Sequence, residues 1–209
     1  MDDPIASRGA HPAVNVYLAR HGRTELNAAG LLRGHLDPPL DPVGRREAKD
    51  LAVAIANFGS DLVVSSPLRR ALETARYFAD ECGLAVEIDE RLIDRDYGKW
   101  AGRPAEELYA EFGSLDAAPG VEPREAVARR ALAALDAAAD RVEEAAVLVA
   151  HDAVNRLLIA SLDADRFGSF EQIPQRTACV NFLQRSGNTW SVARVDLCPG
   201  RGSGGLEER

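Results

Sequence analysis

Leu18-Ala19-Arg20-His21-Gly22-Arg23 forms a strand-to-helix turn near the start of this chain. It closes the apolar run Val14 to Ala19, which predicts a buried strand, and it precedes Thr24-Glu25-Leu26-Asn27, which predicts a helix entry. His21 therefore stands at the carboxyl end of a predicted strand. In open α/β sheets, ligands bind at this place, and the start of a helix favours an anion.

A second histidine has the same setting. Leu148-Val149-Ala150-His151 ends another continuously apolar run, and a helix is predicted over 153–162. A third predicted strand, 62–65, leads into a helix whose first turn carries Arg69-Arg70. Because the carboxyl ends of parallel strands share one edge, we expect both histidines and an arginine to line one crevice.

Predicted strands and helices alternate along the rest of the chain. This order predicts an α/β fold, a three-layer, doubly wound, mostly parallel sheet with helices on both faces. We expect a single domain over 13–198, between Gly-, Pro- and charge-rich segments over 1–12 and 199–209 that are predicted to be mobile. The other predicted elements are helices over 42–58, 68–82, after Pro104 and over 123–141, and strands over 85–88, 180–184 and 190–195.

Composition limits the partners. The chain has 209 residues, a net charge of -8 and a pI near 5.1, and such a field repels nucleic acid and anionic membranes. An anionic substrate must therefore be attracted by a local cluster of arginines. We expect a phosphorylated small molecule as partner, no nucleic acid and no membrane, and either a monomer or a homodimer.

The cysteines indicate a reducing compartment. Cys82, Cys179 and Cys198 are odd in number and lack metal-ligand spacing, so they are predicted to be buried or incidental thiols. The start of the chain lacks a secretory pattern, and no apolar run has membrane-spanning length. The expectation is a cytoplasmic protein with no metal and no cofactor.

Histidines beside arginines at strand ends are typical of phosphoryl transfer. The planar fork of an arginine binds phosphate through paired hydrogen bonds, and a neutral imidazole can attack phosphorus to form a covalent intermediate. The departing alkoxide then needs a proton, which a carboxylic acid can supply.

Several motifs resemble those of the histidine phosphatase superfamily, which is also called phosphoglycerate mutase-like, and specifically its phosphatase-type branch 1. The resemblance covers roughly residues 15–160 and implies this superfamily's fold. The motifs are Arg20-His21-Gly22, Gly34-His35-Leu36-Asp37-Pro38-Pro39-Leu40, Ser65-Ser66-Pro67-Leu68-Arg69-Arg70-Ala71, Asp96-Tyr97-Gly98-Lys99-Trp100-Ala101-Gly102 and Val149-Ala150-His151.

The resemblance implies a role for each matching position. His21 would be the phosphorylated nucleophile, and Arg20, Arg70 and His151 would complete the phosphate pocket. Asn27 matches an asparagine that helps to hold the phosphate. Arg23 replaces the usual Glu or Gln and would either bind a second anionic group of the substrate or be a surface arginine at the rim.

The proton donor departs from the family pattern. Asp94 stands where branch 1 has a glutamate, and it is one methylene shorter. Asp152 stands where branch 1 commonly has glycine, so that His151-Asp152 resembles the His-Asp pair of the acid phosphatase branch. Asp152 also stands at a predicted helix start, where the role of N-cap would explain it. Asp94 and Asp152 are both candidates for the acid.

The resemblance implies a metal-independent phosphomonoesterase that acts through phospho-His21. One alternative is a cofactor-dependent phosphoglycerate mutase, although mutases typically carry a longer insertion after the Tyr-Gly-x-Trp segment. The other is a phosphate-binding regulatory module that lacks an effective proton donor.

Overall fold

A computed structural model describes residues 13–167 and 169–199, and the predicted mobile segments lie outside them except for Pro199. Six strands form one sheet in the order β3-β2-β4-β1-β5-β6. The first four run parallel, and β5 and β6 are antiparallel to their neighbours, which confirms the mostly parallel α/β sheet. The strands are β1 (Val14–Arg20), β2 (Leu62–Ser65), β3 (Val86–Ile88), β4 (Ala145–Ala150), β5 (Val180–Ser186) and β6 (Thr189–Leu197).

Helices cover both faces of the sheet. In the part of the chain that the structure describes, none is long and apolar enough to span a bilayer. They are α1 (Glu25–Ala28), α2 (Pro42–Ile55), α3 (Arg69–Cys82), α4 (Ala105–Phe112), α5 (Arg124–Ala139), α6 (Asp152–Leu162) and α7 (Ala164–Phe167).

Alternate side chains of the central strands enter two different cores, as the two-residue period of a strand requires. On one face Val16 and Leu18 pack with residues of α5 and α6. On the other face Tyr17 and Ala19 pack with residues of α2 and α3. The helices that follow β1 and β4 therefore lie on opposite faces, which opens a crevice at the carboxyl ends of these two adjacent strands.

Two helices begin one residue away from their predicted starts, α3 at Arg69 rather than 68 and α6 at Asp152 rather than 153. Ser66 does not cap α3, because the helix begins at Arg69 with Leu68 as its N-cap residue. Asp152 is the first residue of α6 and His151 is its N-cap residue, so a capping role does not explain Asp152. The side chains of Ser66 and Asp152 are therefore available for contacts other than helix capping.

The prediction of incidental thiols was wrong for two cysteines. Cys179 and Cys198 form a disulfide, whereas Cys82 is free. They lie 19 residues apart in the chain, but the antiparallel β5–β6 pairing sets Val180 opposite Leu197 and so brings the flanking cysteines together. Spacing along the chain does not reveal this pairing.

Candidate active site

The parallel register of β1 and β4 places the two histidines side by side. Arg20 is paired with Ala150, and each of these two residues ends its strand and is followed by a histidine. The rings of His21 and His151 have centroids 5.1 Å apart and are both fully buried. The crevice predicted from the strand ends is therefore present, with one imidazole from each strand.

The hydrogen bonds of His21 determine its tautomer. Nδ1 lies 2.7 Å from the Gly22 carbonyl oxygen, which can only accept, so Nδ1 carries the proton. Nε2 is left with its lone pair, and the Nε of Arg70 approaches it at 3.3 Å. Burial, and then the charges of Arg70 and Arg20, hold the pKa of His21 well below its ordinary value. The imidazole is thus neutral, as a nucleophile must be.

In His151, the ring nitrogen available to a ligand is Nδ1, whereas in His21 it is Nε2. Nε2 of His151 lies 2.7 Å from the Ser66 hydroxyl, which accepts a hydrogen bond from the Leu68 backbone and so has its own proton to donate. Nδ1 of His151 is buried without a hydrogen-bond partner among the described residues, and it carries the proton in the tautomer in which Ser66 donates to Nε2. Burial, followed by the charge of Arg70, lowers the pKa of His151 well below its ordinary value. This N–H can donate to a phosphoryl oxygen.

Arg70 is held in place on three sides. Its guanidinium donates to the carbonyl oxygens of Leu36 at 2.7 Å and Gly34 at 2.9 Å, and it forms an ion pair with Asp94 at 2.9 Å. The Arg70 side chain has no exposed surface. Because the first turn of α3 supplies Arg70 directly after β2, the guanidinium reaches the edge where β1 and β4 end.

The two candidate acids have different surroundings. Asp94 is buried, with Oδ2 on Arg70 and 3.9 Å from Nδ1 of His151, so it faces the space between the pocket donors. Asp152 forms ion pairs with Arg20, at 2.8 Å, and with Arg156. Burial raises the pKa of Asp152, but the charges of Arg20 and Arg156 outweigh it and keep the pKa below its ordinary value.

Arg20 is fixed by a network that the sequence did not reveal. It donates to the carbonyl oxygen of Gln175 as well as pairing with Asp152. The Gln175 side chain in turn accepts from Asn155 on α6 and bonds to Asn181 on β5. One of two glutamines before the last two strands, Gln175 carries no sequence pattern that would have predicted this network.

Gly22 allows the loop after His21 to lie against the start of α2. A Cβ on Gly22 would stand 2.3 Å from the carbonyl oxygen of Gly44, closer than real contacts permit. The Gly22 N–H donates to the Thr74 hydroxyl, which itself donates to the Arg70 carbonyl oxygen. The glycine of Arg-His-Gly thus joins the nucleophile loop to both α2 and α3.

Two predicted binding residues make local contacts. The Arg23 guanidinium forms an ion pair with Asp41, the N-cap residue of α2, and its side chain is 37% exposed. The carboxamide oxygen of Asn27 accepts from the backbone and hydroxyl of Thr24, the N-cap residue of α1. These contacts orient both side chains, and their roles toward a substrate stay predictions.

The structure adds Arg33 to the pocket residues that sequence reasoning identified. Its charge lowers the pKa of both His21 and His151, after larger contributions from burial and from Arg70. Its position directly before the Gly34-to-Leu40 motif was a usable signal.

One group of side chains in the described residues has the composition of a metal site, namely Cys179, Asp196 and Cys198. The two cysteines are joined as a disulfide, and Asp196 forms an ion pair with Arg176 at 2.7 Å. Disulfide sulfurs are not thiolate ligands, so this group does not fit a metal ion.

The chain belongs to the histidine phosphatase superfamily, branch 1, whose sequence profile matches residues 16–197. A Yersinia pestis protein named probable phosphoglycerate mutase GpmB is 40% identical over 98 residues, which are 47% of this chain. The match spans 46%, about half, of that relative's length.

Solved structures of phosphatases are similar over most of the chain. The mycobacterial glucosyl-3-phosphoglycerate phosphatase in complex with VO3 has a TM-score of 0.77 and 27% identity, covering 88% of this chain and 98% of that one. A phosphoserine phosphatase mutant from Entamoeba histolytica in complex with phosphoserine has a TM-score of 0.76 and 25% identity, covering 88% and 96%. These neighbours share the phosphoglycerate mutase-like fold of this chain.

Proposed function

We propose that this chain is a metal-independent phosphomonoesterase that hydrolyses a phosphorylated small molecule through a phosphohistidine on His21. The observation that carries the proposal is the neutral His21 ring, with Nε2 unprotonated, 5.1 Å from the His151 ring and within reach of Arg70. An unprotonated nitrogen, which accepts a hydrogen bond from Nε of Arg70 until a phosphoryl group binds, thus faces fixed donors for the phosphoryl oxygens.

The reaction has two displacements. Nε2 of His21 forms a bond to phosphorus while the bond to the leaving oxygen breaks, and a carboxylic acid gives that oxygen its proton. Water then attacks the phosphohistidine, the same carboxylate takes up a proton, and inorganic phosphate leaves as His21 recovers its lone pair. Arg20, Arg70 and the Nδ1 hydrogen of His151 would stabilise the negative charge of the equatorial oxygens in both steps.

We assign the acid to Asp94. It lies between Arg70 and His151, whereas Asp152 is engaged by two arginines that keep it ionised. Asp152 has an arginine on each of its carboxylate oxygens and serves to orient Arg20, whereas Asp94 has one arginine and lies 3.9 Å from Nδ1 of His151. Because Asp94 is one methylene shorter than the glutamate of the family, the leaving oxygen must bind closer to the backbone of this residue.

A cofactor-dependent phosphoglycerate mutase is the second candidate, and the named Yersinia relative favours it. The chain has only a short stretch, with α4 and a turn-rich segment, between Trp100 and Gly120. A short insertion leaves the pocket open to water as acceptor, which favours hydrolysis. The proposal also includes a small-molecule partner rather than nucleic acid or membrane, and a cytoplasmic location in which the Cys179–Cys198 disulfide would be an exception to the usual reduced state of cysteines.

Rapid-quench labelling tests the proposal. Mixing the protein with an excess of 4-nitrophenyl phosphate and quenching in alkali should trap one phosphoryl group on the peptide that carries His21, as read by mass spectrometry. The variant His21→Ala should show neither label nor turnover, and His11→Ala, at a histidine outside the described residues, should retain both. Turnover of phosphoglycerate that requires a bisphosphoglycerate primer would overturn the hydrolase assignment, and absence of any turnover would favour a binding module.

A further inference from the structure

The segment from Gln175 to Cys179, just before β5, holds the nucleophile and its neighbouring arginine in place. The Arg20 N–H donates to the Cys179 carbonyl oxygen at 2.9 Å, and the Ala178 N–H donates to the His21 carbonyl oxygen at 3.1 Å. The Arg20 guanidinium donates to the carbonyl oxygen of Gln175 as well. The main chain of this one segment therefore positions both the nucleophile and an arginine of the phosphate pocket.

The backbone of this segment is strained at Ala178. Its φ is 47°, in the left-handed region, and its side chain is buried. On β6, two residues before the other cysteine, Asp196 has a φ of 56°. A residue with a side chain persists in this region only where the surrounding structure holds it there. The main chain that supports His21 can therefore relax when a constraint is removed.

The Cys179–Cys198 disulfide is a covalent constraint on the residue next to Ala178. It ties the segment to the end of β6, where Leu197 pairs with Val180. Without this bond, only packing and hydrogen bonds would hold the positive φ of Ala178. After relaxation to a negative φ, the main chain on the two sides of Ala178 would no longer reach both strand-end residues of the site.

The disulfide can be approached from the side of Cys198. Cys179 is 1% exposed, whereas Cys198 is partly exposed and lines a cavity of about 100 Å³ beside Arg176 and Pro199. A thiol that enters this cavity meets Cys198 first. Disulfides in a reducing compartment are usually transient and act in catalysis or redox sensing.

We propose that the Cys179–Cys198 disulfide is a redox switch of the active site, which is active when the bond is oxidised and impaired when a dithiol reduces it. The inference rests on the proposed phosphatase function, because the switch acts on the position of His21 and Arg20.

Reduction takes place in two exchanges. A thiolate of the reductant forms a bond to Sγ of Cys198, and the sulfur of Cys179 leaves with the electron pair and takes up a proton. The second thiol of the reductant then displaces Cys198 from the mixed disulfide. The protein gains two electrons and two protons, and the reductant leaves as a disulfide.

Hydrolysis of 4-nitrophenyl phosphate by the oxidised and the reduced protein tests the inference. We expect kcat/KM to fall by about 10- to 100-fold in dithiothreitol, because a displacement of about 1 Å costs on the order of 100-fold. The double variant Cys179→Ser, Cys198→Ser should have the activity of the reduced protein with and without dithiothreitol. Cys82→Ser, at the free cysteine, should respond as the wild type does.

Ala178→Gly separates this local mechanism from a general loosening of the fold. Glycine takes a positive φ without strain, so the reduced variant should keep most of the activity of its oxidised form. Ala52→Gly is the matched control, because it makes the same change at a buried alanine within α2. It should respond to dithiothreitol as the wild type does.

Four results would overturn the inference. The first is equal kcat/KM of the oxidised and reduced wild type, and the second is an Ala178→Gly variant that loses as much activity on reduction as the wild type. The third is loss of the cooperative thermal transition on reduction, because the bond would then hold the whole fold. The fourth is a wild type with three reactive thiols after treatment with glutathione disulfide, because the switch would have no oxidised state.

Failure of the proposed function gives a different result. If the oxidised protein does not hydrolyse 4-nitrophenyl phosphate, the phosphatase assignment fails while the switch can still be measured. Calorimetric titration of inorganic phosphate into the oxidised and reduced protein then decides. Weaker binding after reduction would support the switch, and equal affinities would reject it.

Discussion

Nη2 of Arg70 lies 2.9 Å from Oδ2 of Asp94, and both side chains are buried. When Asp94 gives its proton to a leaving oxygen, its new negative charge thus develops beside a fixed cation. The same guanidinium reaches Nε2 of His21 through its Nε, so one arginine contacts both the nucleophile and the acid. Asp94 and Asp152 therefore have different predicted roles, and kinetics of the two aspartate variants can distinguish them.

Asp94→Asn should lower kcat for an alkyl phosphate by about 10²- to 10⁴-fold, the usual contribution of a general acid. It should lower kcat for 4-nitrophenyl phosphate much less, because nitrophenolate departs without a proton. Steady-state kinetics with both substrates measure the ratio of kcat for the alkyl phosphate to kcat for the aryl phosphate. A ratio that stays at its wild-type value would show that Asp94 is not the acid.

Asp152→Asn is the matched variant at the other aspartate. It removes a charge that Arg20 and Arg156 share, so we expect KM to rise for both substrates as Arg20 loses its orientation. The alkyl-to-aryl ratio of kcat should stay at the wild-type value. Equal, small losses in kcat from both aspartate variants would contradict the assignment of roles.

The buried histidines make the protein less stable in mild acid. The pKa values of His21 and His151 are lowered in the folded state, whereas the unfolded chain takes up protons near 6.5. The unfolded state then binds more protons below about pH 6.5, so the free energy of unfolding falls as the pH decreases from that value. Each histidine contributes at most about 1.4 kcal/mol per pH unit.

Urea denaturation between pH 5 and 8 measures this dependence. The double variant His21→Asn, His151→Asn should flatten the slope between pH 5 and 6.5. Carboxylates with lowered pKa values affect stability only at lower pH, so their effect does not overlap the pH range in which the histidines titrate. If the double variant has the same pH dependence of the free energy of unfolding as the wild type, the two buried histidines are not its cause.

The strand ends and their histidines could be predicted because they follow from local patterns. Continuous apolar runs identify β1 and β4, and parallel pairing then brings His21 and His151 to one edge without further information. Ser66 was visible as part of a motif, but its contact with His151 depends on the β2–β4 register, which pairs Ser65 with Val149.

The remaining site residues depend on contacts between distant parts of the chain. Gln175 reaches Arg20 across 155 positions, and Arg33 enters the pocket through a loop whose path is set by contacts with Arg70 and Asp94. Neither contact follows from periodicity or propensity. The same holds for Cys179 and Cys198, which the antiparallel β5–β6 pairing joins.

The disulfide should stabilise the last two strands. Its removal in Cys179→Ser, Cys198→Ser should lower the free energy of unfolding by about 3 kcal/mol, as expected for a closed loop of this length. Denaturation with and without a reductant measures the change, and the double variant should not respond to the reductant. Cys82→Ser removes the free cysteine and should leave the response intact. A wild-type protein with three titratable thiols under non-reducing conditions would contradict the bond.

Gly22→Ala should disable the site through the backbone alone. The added Cβ would meet the Gly44 carbonyl oxygen at 2.3 Å, and backbone cannot yield as a flexible side chain can. The loop must shift, and His21 moves with it, so kcat should fall by about 10²-fold or more for a displacement near 1 Å. Gly30→Ala is the control, because a Cβ there meets nothing within 4 Å and only its positive φ of 71° costs stability. It should lose stability in denaturation but keep kcat for 4-nitrophenyl phosphate, whereas a Gly22→Ala variant with wild-type kcat would show that the glycine contact does not position the nucleophile.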